Sequence, residues 1–385
     1  MVFFKKNCTS IPLKETIFSA GFLILLCGMF VFTRWNAYHT SVYIIFLLPA
    51  LLFIRDKCLW KNLYESTIAR LYLSFLTLSA ISLTWSDGAE FSDLRYVIAV
   101  LPFTVSICLF YRNFTQLMSR CLALSVIISA ASAVYSLVDF YLIQEHIGER
   151  YASNVGLLQH TILASFVYGV FFLFSIHFFH IDDRNKFKVA YLLCAVIIFL
   201  YLMFAQSRGV LVGVFFALTY YLFASKSSYR WIFLAIIIAI FATVLIFFQD
   251  YFLGRGLSYR PLLWQSGFLM GMDDFWFGRG VWSNYVVFLT SGEYWDHPHN
   301  MLIKIFIDLG FTGVLLWLCI WGATCYRLLA STSAFKFLGI SLLAFSVVAT
   351  LFDGDGPVVK LREVWFVSWL PLMLCLAWSL EKKEL

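Results

Sequence analysis

The chain has 385 residues, of which 62% are hydrophobic and 13% are charged, against about 25% charged residues in ordinary soluble domains. This composition excludes a soluble globular protein and indicates a membrane protein. The net charge of +6 does not indicate nucleic-acid binding, because the basic residues are spread over short segments rather than gathered in one patch.

The apolar runs predict an all-α polytopic membrane protein with about twelve transmembrane helices and no separate soluble domain. A helix needs roughly 20 apolar residues to span a bilayer. The first run lacks a small-residue cleavage site, so it predicts a retained span rather than a cleaved signal. We therefore treat residues 1–385 as a single integral membrane domain. The twelve candidate runs are centred near residues 25, 47, 77, 103, 132, 169, 197, 217, 240, 314, 345 and 372.

The charges of the loops predict that both termini face the cytoplasm. The segments assigned to that side hold 18 of the 28 Lys and Arg residues and 7 acidic residues, whereas the rest of the chain holds 10 basic and 15 acidic residues. This asymmetry follows the positive-inside rule. The cytoplasmic segments are residues 1–15, 55–70, 111–120, 181–188, 225–231, 326–336 and 381–385.

One predicted loop is much longer than the others. Residues 250–300 stay on the outer face and carry thirteen aromatic side chains, a density typical of segments in the interfacial belt of a membrane. Within this loop, Ser258-Tyr259-Arg260-Pro261 predicts a helix start with proline in the first turn. We predict that the loop contains interfacial helices and forms part of an active site.

His299 is the candidate general base. The sequence His297-Pro298-His299-Asn300 precedes an apolar run, and Pro298 fits the first turn of the helix that begins there. The partial positive charge of a helix N-terminus disfavours imidazolium, so His299 is expected to be neutral and able to accept a proton from a hydroxyl nucleophile. The alternative is an interfacial histidine that only caps the helix. His297 is the weaker candidate for the base.

Arg208 and Arg260 are the candidate anion ligands. Arg208 lies between two apolar runs near the outer end of a predicted span, and Arg260 lies in the long loop. An arginine in such a position is costly without an anionic partner, and its planar fork matches phosphate oxygens. Two such side chains aimed at one point suit a diphosphate. Pairing with a carboxylate such as Asp250, Asp353 or Glu363, or with lipid head groups, is the alternative.

Weaker signals complete the set of site candidates. Gly278-Arg279-Gly280 predicts a tight turn in which backbone approaches a ligand, although a lone Gly-x-Gly is a weak motif. Asp353 and Asp355 lie in a Gly- and Asp-rich outer loop, 353–363, and either orient an Arg or His, bind a cation, or only shape a polar turn. The sequence has no CxxC, His-rich tract or Walker loop, so we predict no metal, no cofactor and no ATP hydrolysis.

The order of these residues resembles that of the O-antigen ligase family, within the wider group that includes O-antigen polymerases and protein oligosaccharyltransferases. The family pattern has an arginine followed shortly by a tryptophan, then Pro-x-x-Gly-x-Gly, then His-Asn at the start of a span that ends near Glu-x-Gly-x-x-Gly. Two positions depart from it, since no proline precedes the Gly-x-Gly turn and Asp308 stands where glutamate is usual. The matching residues are Ser207-Arg208-Gly209, Arg260 and Trp264, Gly278-Arg279-Gly280, His299-Asn300, and Asp308 to Gly313.

The resemblance implies a glycosyltransferase that moves O-antigen glycan from undecaprenyl diphosphate to a sugar hydroxyl of lipid A–core during lipopolysaccharide assembly. It implies an inverting, metal-independent reaction on the periplasmic face of the bacterial inner membrane. His299 would be the base, and Arg208 and Arg260 would hold the diphosphate. The residues expected in supporting roles are Asn300, Trp264, Gly278, Gly280, Arg279, His297 and Asp353.

Three alternative functions stay open. An O-antigen polymerase or a protein O-oligosaccharyltransferase would share the same motifs, although the latter often carries an extra C-terminal soluble region, whereas this chain stops five residues after its last predicted span. A lipid-glycan flippase or transporter would instead place charged residues along a pathway through both leaflets. Because the candidate residues crowd one face, the sequence favours an enzyme.

Overall fold

The computed structural model describes residues 13–51, 55–149, 151–152, 155–226, 228–232, 234–236, 238–239, 259–288 and 293–380. This part of the chain is almost entirely helical, which confirms the predicted helical fold class. Its longer helices are α1 Leu13–Val31, α2 Trp35–Val42, α3 Lys57–Glu65, α4 Thr67–Ser82, α5 Leu94–Val138, α6 Thr161–Ile181, α7 Asn185–Ala205, α8 Arg208–Ala224, α9 Arg260–Asp273, α10 Met301–Leu329, α11 Lys336–Phe352 and α12 Trp369–Ser379.

Short elements connect or extend these helices. The strands β1 Val287–Phe288 and β2 Tyr294–Trp295 pair in antiparallel fashion, with Val287 opposite Trp295. The remaining short elements are 3-10 turns at Phe91–Asp93 and Glu363–Val367, π turns at Tyr43–Leu47 and Asp139–Ile143, and a helical turn at Leu48–Ala50.

Four helical stretches of the described chain are long and apolar enough to cross a membrane, namely Phe91–Ile143, α6, α7 and α10. Shorter apolar helices also coincide with predicted spans, among them α4, α8, α11 and α12. Phe114 has non-helical backbone angles inside α5, which divides this helix where the sequence predicts the loop 111–120. The predicted span near residue 240, both termini, and residues 250–258 and 289–292 of the long loop lie largely or wholly outside the described residues. The count of twelve spans and their orientation therefore stay predictions.

The side chain of Asn300 connects the start of α10 to the end of α11 through hydrogen bonds. The Asn300 side-chain oxygen accepts hydrogen bonds from the backbone N–H groups of Leu302 and Ile303 at 3.0 and 3.2 Å, which is the geometry of a helix N-cap. Its amide group donates to the carbonyl oxygen of Leu351 at 3.0 Å. Pro298 therefore precedes the cap, and the prediction that it lies in the first helical turn was wrong.

α8 and α9 reach the same end of the helix bundle. Gly209, the second residue of α8, lies against Phe352 at the end of α11 with no room for a larger side chain. α9 begins at Arg260 with proline in its first turn, as predicted. One turn later, the ring of Trp264 lies 6.3 Å from that of Phe352. The N-terminal ends of α8, α9 and α10 thus gather around the C-terminal end of α11.

The segment 353–363 that follows α11 is mostly buried. The indole N–H groups of Trp365 and Trp369 donate to the carbonyl oxygens of Val359 and Pro357 at 3.0 and 2.8 Å. This segment is therefore packed inside the protein. Its location on the outer face of the membrane stays a prediction.

Candidate active site

Asp353 joins two of the predicted site residues. Its Oδ1 lies 2.9 Å from His299 Nδ1, and its Oδ2 lies 3.2 Å from Arg260 Nη2. Burial raises the pKa of a carboxyl group, but the hydrogen bond and charge of His299, together with the charge of Arg260, outweigh burial and hold the pKa of Asp353 below its usual value. The structure thus brings His299 and Arg260 together through one ionised carboxylate that is only 5% exposed. For Arg260 this is the pairing with a carboxylate that the sequence left open as the alternative to a diphosphate.

The bond to Asp353 determines which nitrogen of His299 can act as a base. A carboxylate only accepts hydrogen bonds, so we assign the proton to Nδ1 and the lone pair of the neutral ring to Nε2. Within the described part of the chain, no hydrogen bond occupies Nε2. His299 has a φ of +50°, a left-handed conformation that costs a non-glycine residue about 1–3 kcal/mol and is typical of functional sites. This geometry suits a general base.

His297 supports His299 from the side. Its Nδ1 accepts a hydrogen bond from the backbone N–H of His299 at 3.2 Å, and the two ring centroids are 4.0 Å apart. Burial, and then the neighbouring His299, lower the pKa of His297, so this ring is neutral at pH 7. Trp295 packs edge-on against His299, with ring centroids 5.3 Å apart. His297 therefore helps to fix the backbone of His299, and its other nitrogen can donate to a ligand.

Arg208 lies at the same end of the bundle because of the packing of its helix. It is the first residue of α8 and is partly buried. The next residue, Gly209, lies against Phe352, which directly precedes Asp353. This packing brings the backbone of Arg208 near Asp353, while the approach of the guanidinium groups of Arg208 and Arg260 to one diphosphate stays a prediction.

The Gly278-Arg279-Gly280 turn contacts protein backbone. Two N–H groups of this turn donate to the carbonyl oxygens of Ile307 and Asp308, both at 2.8 Å. α10 departs from helical geometry there, because Gly310 has a φ of +64°. A Cβ atom at Gly278 would collide with backbone atoms of residues 308–310. The glycines permit a close approach of two backbones, where the sequence predicted an approach to a ligand.

This contact gives a prediction about stability. We expect Gly278→Ala to lower the thermal unfolding temperature of the purified protein, because Gly278 has a φ of +65° as well as no space for a Cβ. A residue forced into such a conformation costs about 1–3 kcal/mol. Gly322→Ala is the matched control, since a Cβ at Gly322 meets nothing within 4 Å. Equal unfolding temperatures for the two variants would contradict the assigned role of the turn.

A pair of charged residues in α10 was missed by the sequence analysis. Lys304 Nζ lies 2.8 Å from Asp308 Oδ1, with side-chain exposures of 12% and 7%. Lys304 Nζ also lies 4.7 Å from the ring centroid of Tyr285. The sequence contains the information needed to predict this pair. Residues four apart lie on one face of a helix, and charged residues within an apolar span are costly and usually functional.

A cavity of about 660 Å³ lies against this pair. Sites for small molecules commonly measure about 300–1,000 Å³. The cavity is bounded by the loop after the Gly-x-Gly turn, by α10 and by the buried segment after α11. It reaches His297, and therefore the neighbourhood of the candidate base. Its polar and aromatic lining includes Trp282, Tyr285, Asp296, His297, Lys304, Asp308 and Asp355.

Comparisons with known proteins agree with the resemblance seen in the sequence. A family model described as O-antigen ligase matches residues 193–318, a range that contains Arg208, Arg260 and His299. An O-antigen ligase from Pseudomonas aeruginosa is 27% identical over 98% of this chain and 94% of its own length. The matched region and the full-length relative together support a relationship of this chain to the O-antigen ligase family.

Proposed function

We propose that this protein transfers O-antigen glycan from undecaprenyl diphosphate to a sugar hydroxyl of lipid A–core. The observation that carries the proposal is the Asp353 carboxylate, which holds His299 at 2.9 Å and Arg260 at 3.2 Å. A base for a hydroxyl group and a cation for a diphosphate are the two groups that such a transfer needs. The similarity to O-antigen ligases supports the choice of substrates.

The proposed reaction is a direct displacement. Nε2 of His299 takes the proton of the acceptor hydroxyl as its oxygen attacks the anomeric carbon of the carrier-linked sugar. The bond between that carbon and the diphosphate breaks on the opposite face, so the configuration inverts, and undecaprenyl diphosphate leaves with the bonding electron pair. Arg260 and Arg208 stabilise the charge that develops on the leaving group. Asp353 stabilises the imidazolium without taking its proton.

We also propose that the site faces the periplasm from the inner membrane, with both termini in the cytoplasm and residues 250–300 as the periplasmic loop. The distribution of basic residues over the loops supports this orientation. The gathering of the N-terminal ends of α8, α9 and α10 at one end of the bundle supports a site at one membrane surface. A membrane bundle lets the lipid tail of the carrier enter laterally from the bilayer.

Deletion of the gene, followed by electrophoresis of the lipopolysaccharide, tests the proposed function. We expect bare lipid A–core, together with accumulated long carrier-linked glycan. Lipid A–core that bears a single repeat would instead identify an O-antigen polymerase. An unchanged pattern would point to a protein acceptor or to transport.

Asp353→Asn is expected to lower kcat by about 10²–10⁴-fold. An amide cannot hold the Nδ1 proton as a carboxylate does, and the same change in a Ser-His-Asp triad costs about 10⁴-fold. Because the pKa of Asp353 is lowered, the carboxylate of the wild type stays ionised at neutral and mildly acidic pH. The stabilisation it gives is lost only as the pH falls through that lowered value.

The pH–rate profile separates this positioning role from a purely structural one. In Asp353→Asn the acidic limb of the profile should move to lower pH, because the imidazolium has lost its anionic partner. Asp353→Glu should recover part of the activity. A folded Asp353→Asn protein with the wild-type kcat and an unmoved profile would contradict the assignment.

Transfer is expected to proceed in excess chelator and without ATP. The guanidinium groups supply the positive charge that the leaving diphosphate needs, and cleavage of the sugar–diphosphate bond supplies the driving force. The measurement uses purified protein, carrier-linked donor and lipid acceptor with EDTA. A strict requirement for a divalent cation, restored by Mg²⁺ or Mn²⁺, would contradict this and would direct attention to Asp353 and Asp355 as ligands.

A further inference from the structure

The cavity beside His297 is lined by acidic residues, whereas the two residues proposed to bind the diphosphate are arginines. Its described lining includes neither Arg208 nor Arg260. That described lining holds one lysine, Lys304, which pairs with Asp308 at 2.8 Å. With Asp296 and Asp355 it holds three carboxylates in all, so its net charge is negative when these groups are ionised. The electric field in the cavity disfavours an anion such as a diphosphate.

The wall of the cavity offers groups suited to a sugar. The carboxylates of Asp296 and Asp355 line the cavity, and a carboxylate accepts hydrogen bonds from hydroxyl groups of a ligand. The lining also holds the aromatic rings of Tyr285 and Phe288 beside the carboxylates. A sugar ring has hydroxyl groups that form hydrogen bonds and apolar faces that pack against aromatic rings, so this lining can make both kinds of contact.

We propose that this cavity is the acceptor subsite, and that it selects a hydroxyl-rich sugar ring that is uncharged or carries an amine, and rejects a phosphorylated ring. The inference rests on the proposed transfer reaction. The cavity reaches His297, whose ring lies 4.0 Å from that of His299, so a bound hydroxyl comes close to the base. In an inverting displacement the nucleophile and the leaving group lie on opposite faces of the reacting sugar. Separate binding places for the acceptor, in the acidic cavity, and for the diphosphate, at the arginines, meet that requirement.

Two short acceptors test the selectivity of the cavity. An uncharged disaccharide on an octyl aglycone and its monophosphate are offered to the purified full-length protein with undecaprenyl diphosphate-linked glycan. We expect kcat/KM of the wild type to be at least about tenfold higher for the uncharged acceptor, since one unfavourable charge contact in a partly buried site has that size. Equal use of both acceptors, or preference for the monophosphate, would overturn the proposal.

Asp355→Asn tests the subsite itself. We expect KM for the uncharged acceptor to rise about tenfold, as for the loss of one hydrogen bond to a charged group, while KM for the donor is unchanged. The ratio of kcat/KM for the uncharged acceptor to kcat/KM for the monophosphate should become smaller than in the wild type. Glu293→Gln is the control, because Glu293 is an exposed carboxylate next to β2 that does not line the cavity. A rise in the donor KM with an unchanged acceptor KM would assign the cavity to the donor glycan and overturn the proposal.

Asp296→Asn is a second variant of the same cavity, and it tests the subsite even if the Asp355→Asn protein does not fold. Asp296 is exposed, so its replacement should be tolerated and should raise the acceptor KM in the same direction, by a smaller factor. Quenching of tryptophan fluorescence by the uncharged octyl disaccharide gives a readout that needs no transfer. Saturable binding that is weakened by Asp355→Asn supports the subsite even if the wild type moves no glycan to lipid A–core. Failure of the wild type to bind that glycoside overturns the subsite.

Discussion

Replacement of His299 by alanine is expected to abolish glycan transfer while the protein remains folded and still binds its donor. Among the residues that the structure describes, none forms a hydrogen bond with Nε2 of His299, while Asp353 holds its Nδ1 at 2.9 Å. General bases contribute about 10²–10⁴-fold to a rate. The measurement is the turnover of purified protein at saturating donor, with the thermal unfolding temperature as a check of folding.

His297→Ala is the matched control for this prediction. His297 accepts a hydrogen bond from the backbone of His299 and takes no proton in the proposed reaction, so its loss should be milder. Retention of more than about a tenth of wild-type turnover by His299→Ala would exclude a base with the usual contribution. A larger loss in His297→Ala than in His299→Ala would mean that the roles are reversed.

Arg260→Lys and Arg208→Lys are each expected to lower transfer by about 10²-fold or more, although both variants keep the positive charge. The planar fork of arginine is replaced by a point charge that cannot make two parallel hydrogen bonds to a phosphate. Loss of one preorganised group at a developing negative charge typically has this size. If the arginines act on the leaving group, the rate at saturating donor should fall along with the affinity for the donor.

Arg279→Ala is the comparison for the two arginines. Arg279 is paired with Asp273 and Asp274 at 3.1 and 3.3 Å and lies in the turn that contacts α10, so its loss should reduce transfer much less. Normal turnover in both lysine variants would reduce Arg208 and Arg260 to general electrostatic anchors.

Hydropathy was sufficient to locate most helices, because each apolar run must satisfy its own backbone in a bilayer. It also located the break at Phe114, since the polar segment 111–120 interrupts one long apolar stretch. The start of α10 was placed wrongly, because proline and asparagine are both common at helix starts and Pro298 and Asn300 stand two residues apart. The Asn300 side chain determines the start, because it accepts two backbone hydrogen bonds.

The contacts of the candidate site could be predicted only in part. The residue types His299, Arg260 and Asp353 were recognisable, but Asp353 lies 54 residues from His299 and 93 residues from Arg260 in the chain. Only the packing of α9 and α10 against the end of α11 makes Asp353 the common partner of both. The burial of residues 353–363 was missed because a Gly- and Asp-rich sequence is typical of exposed turns.

Single-turnover transfer by the purified protein, from undecaprenyl diphosphate-linked glycan to lipid A–core, tests the central claim most directly when the anomeric configuration of the product is determined. We expect the wild type to give glycan-bearing lipid A–core with inverted configuration, and the His299→Ala protein to give almost none in the same time. Retained configuration, or equal product from the two proteins, would contradict a direct displacement in which His299 is the base.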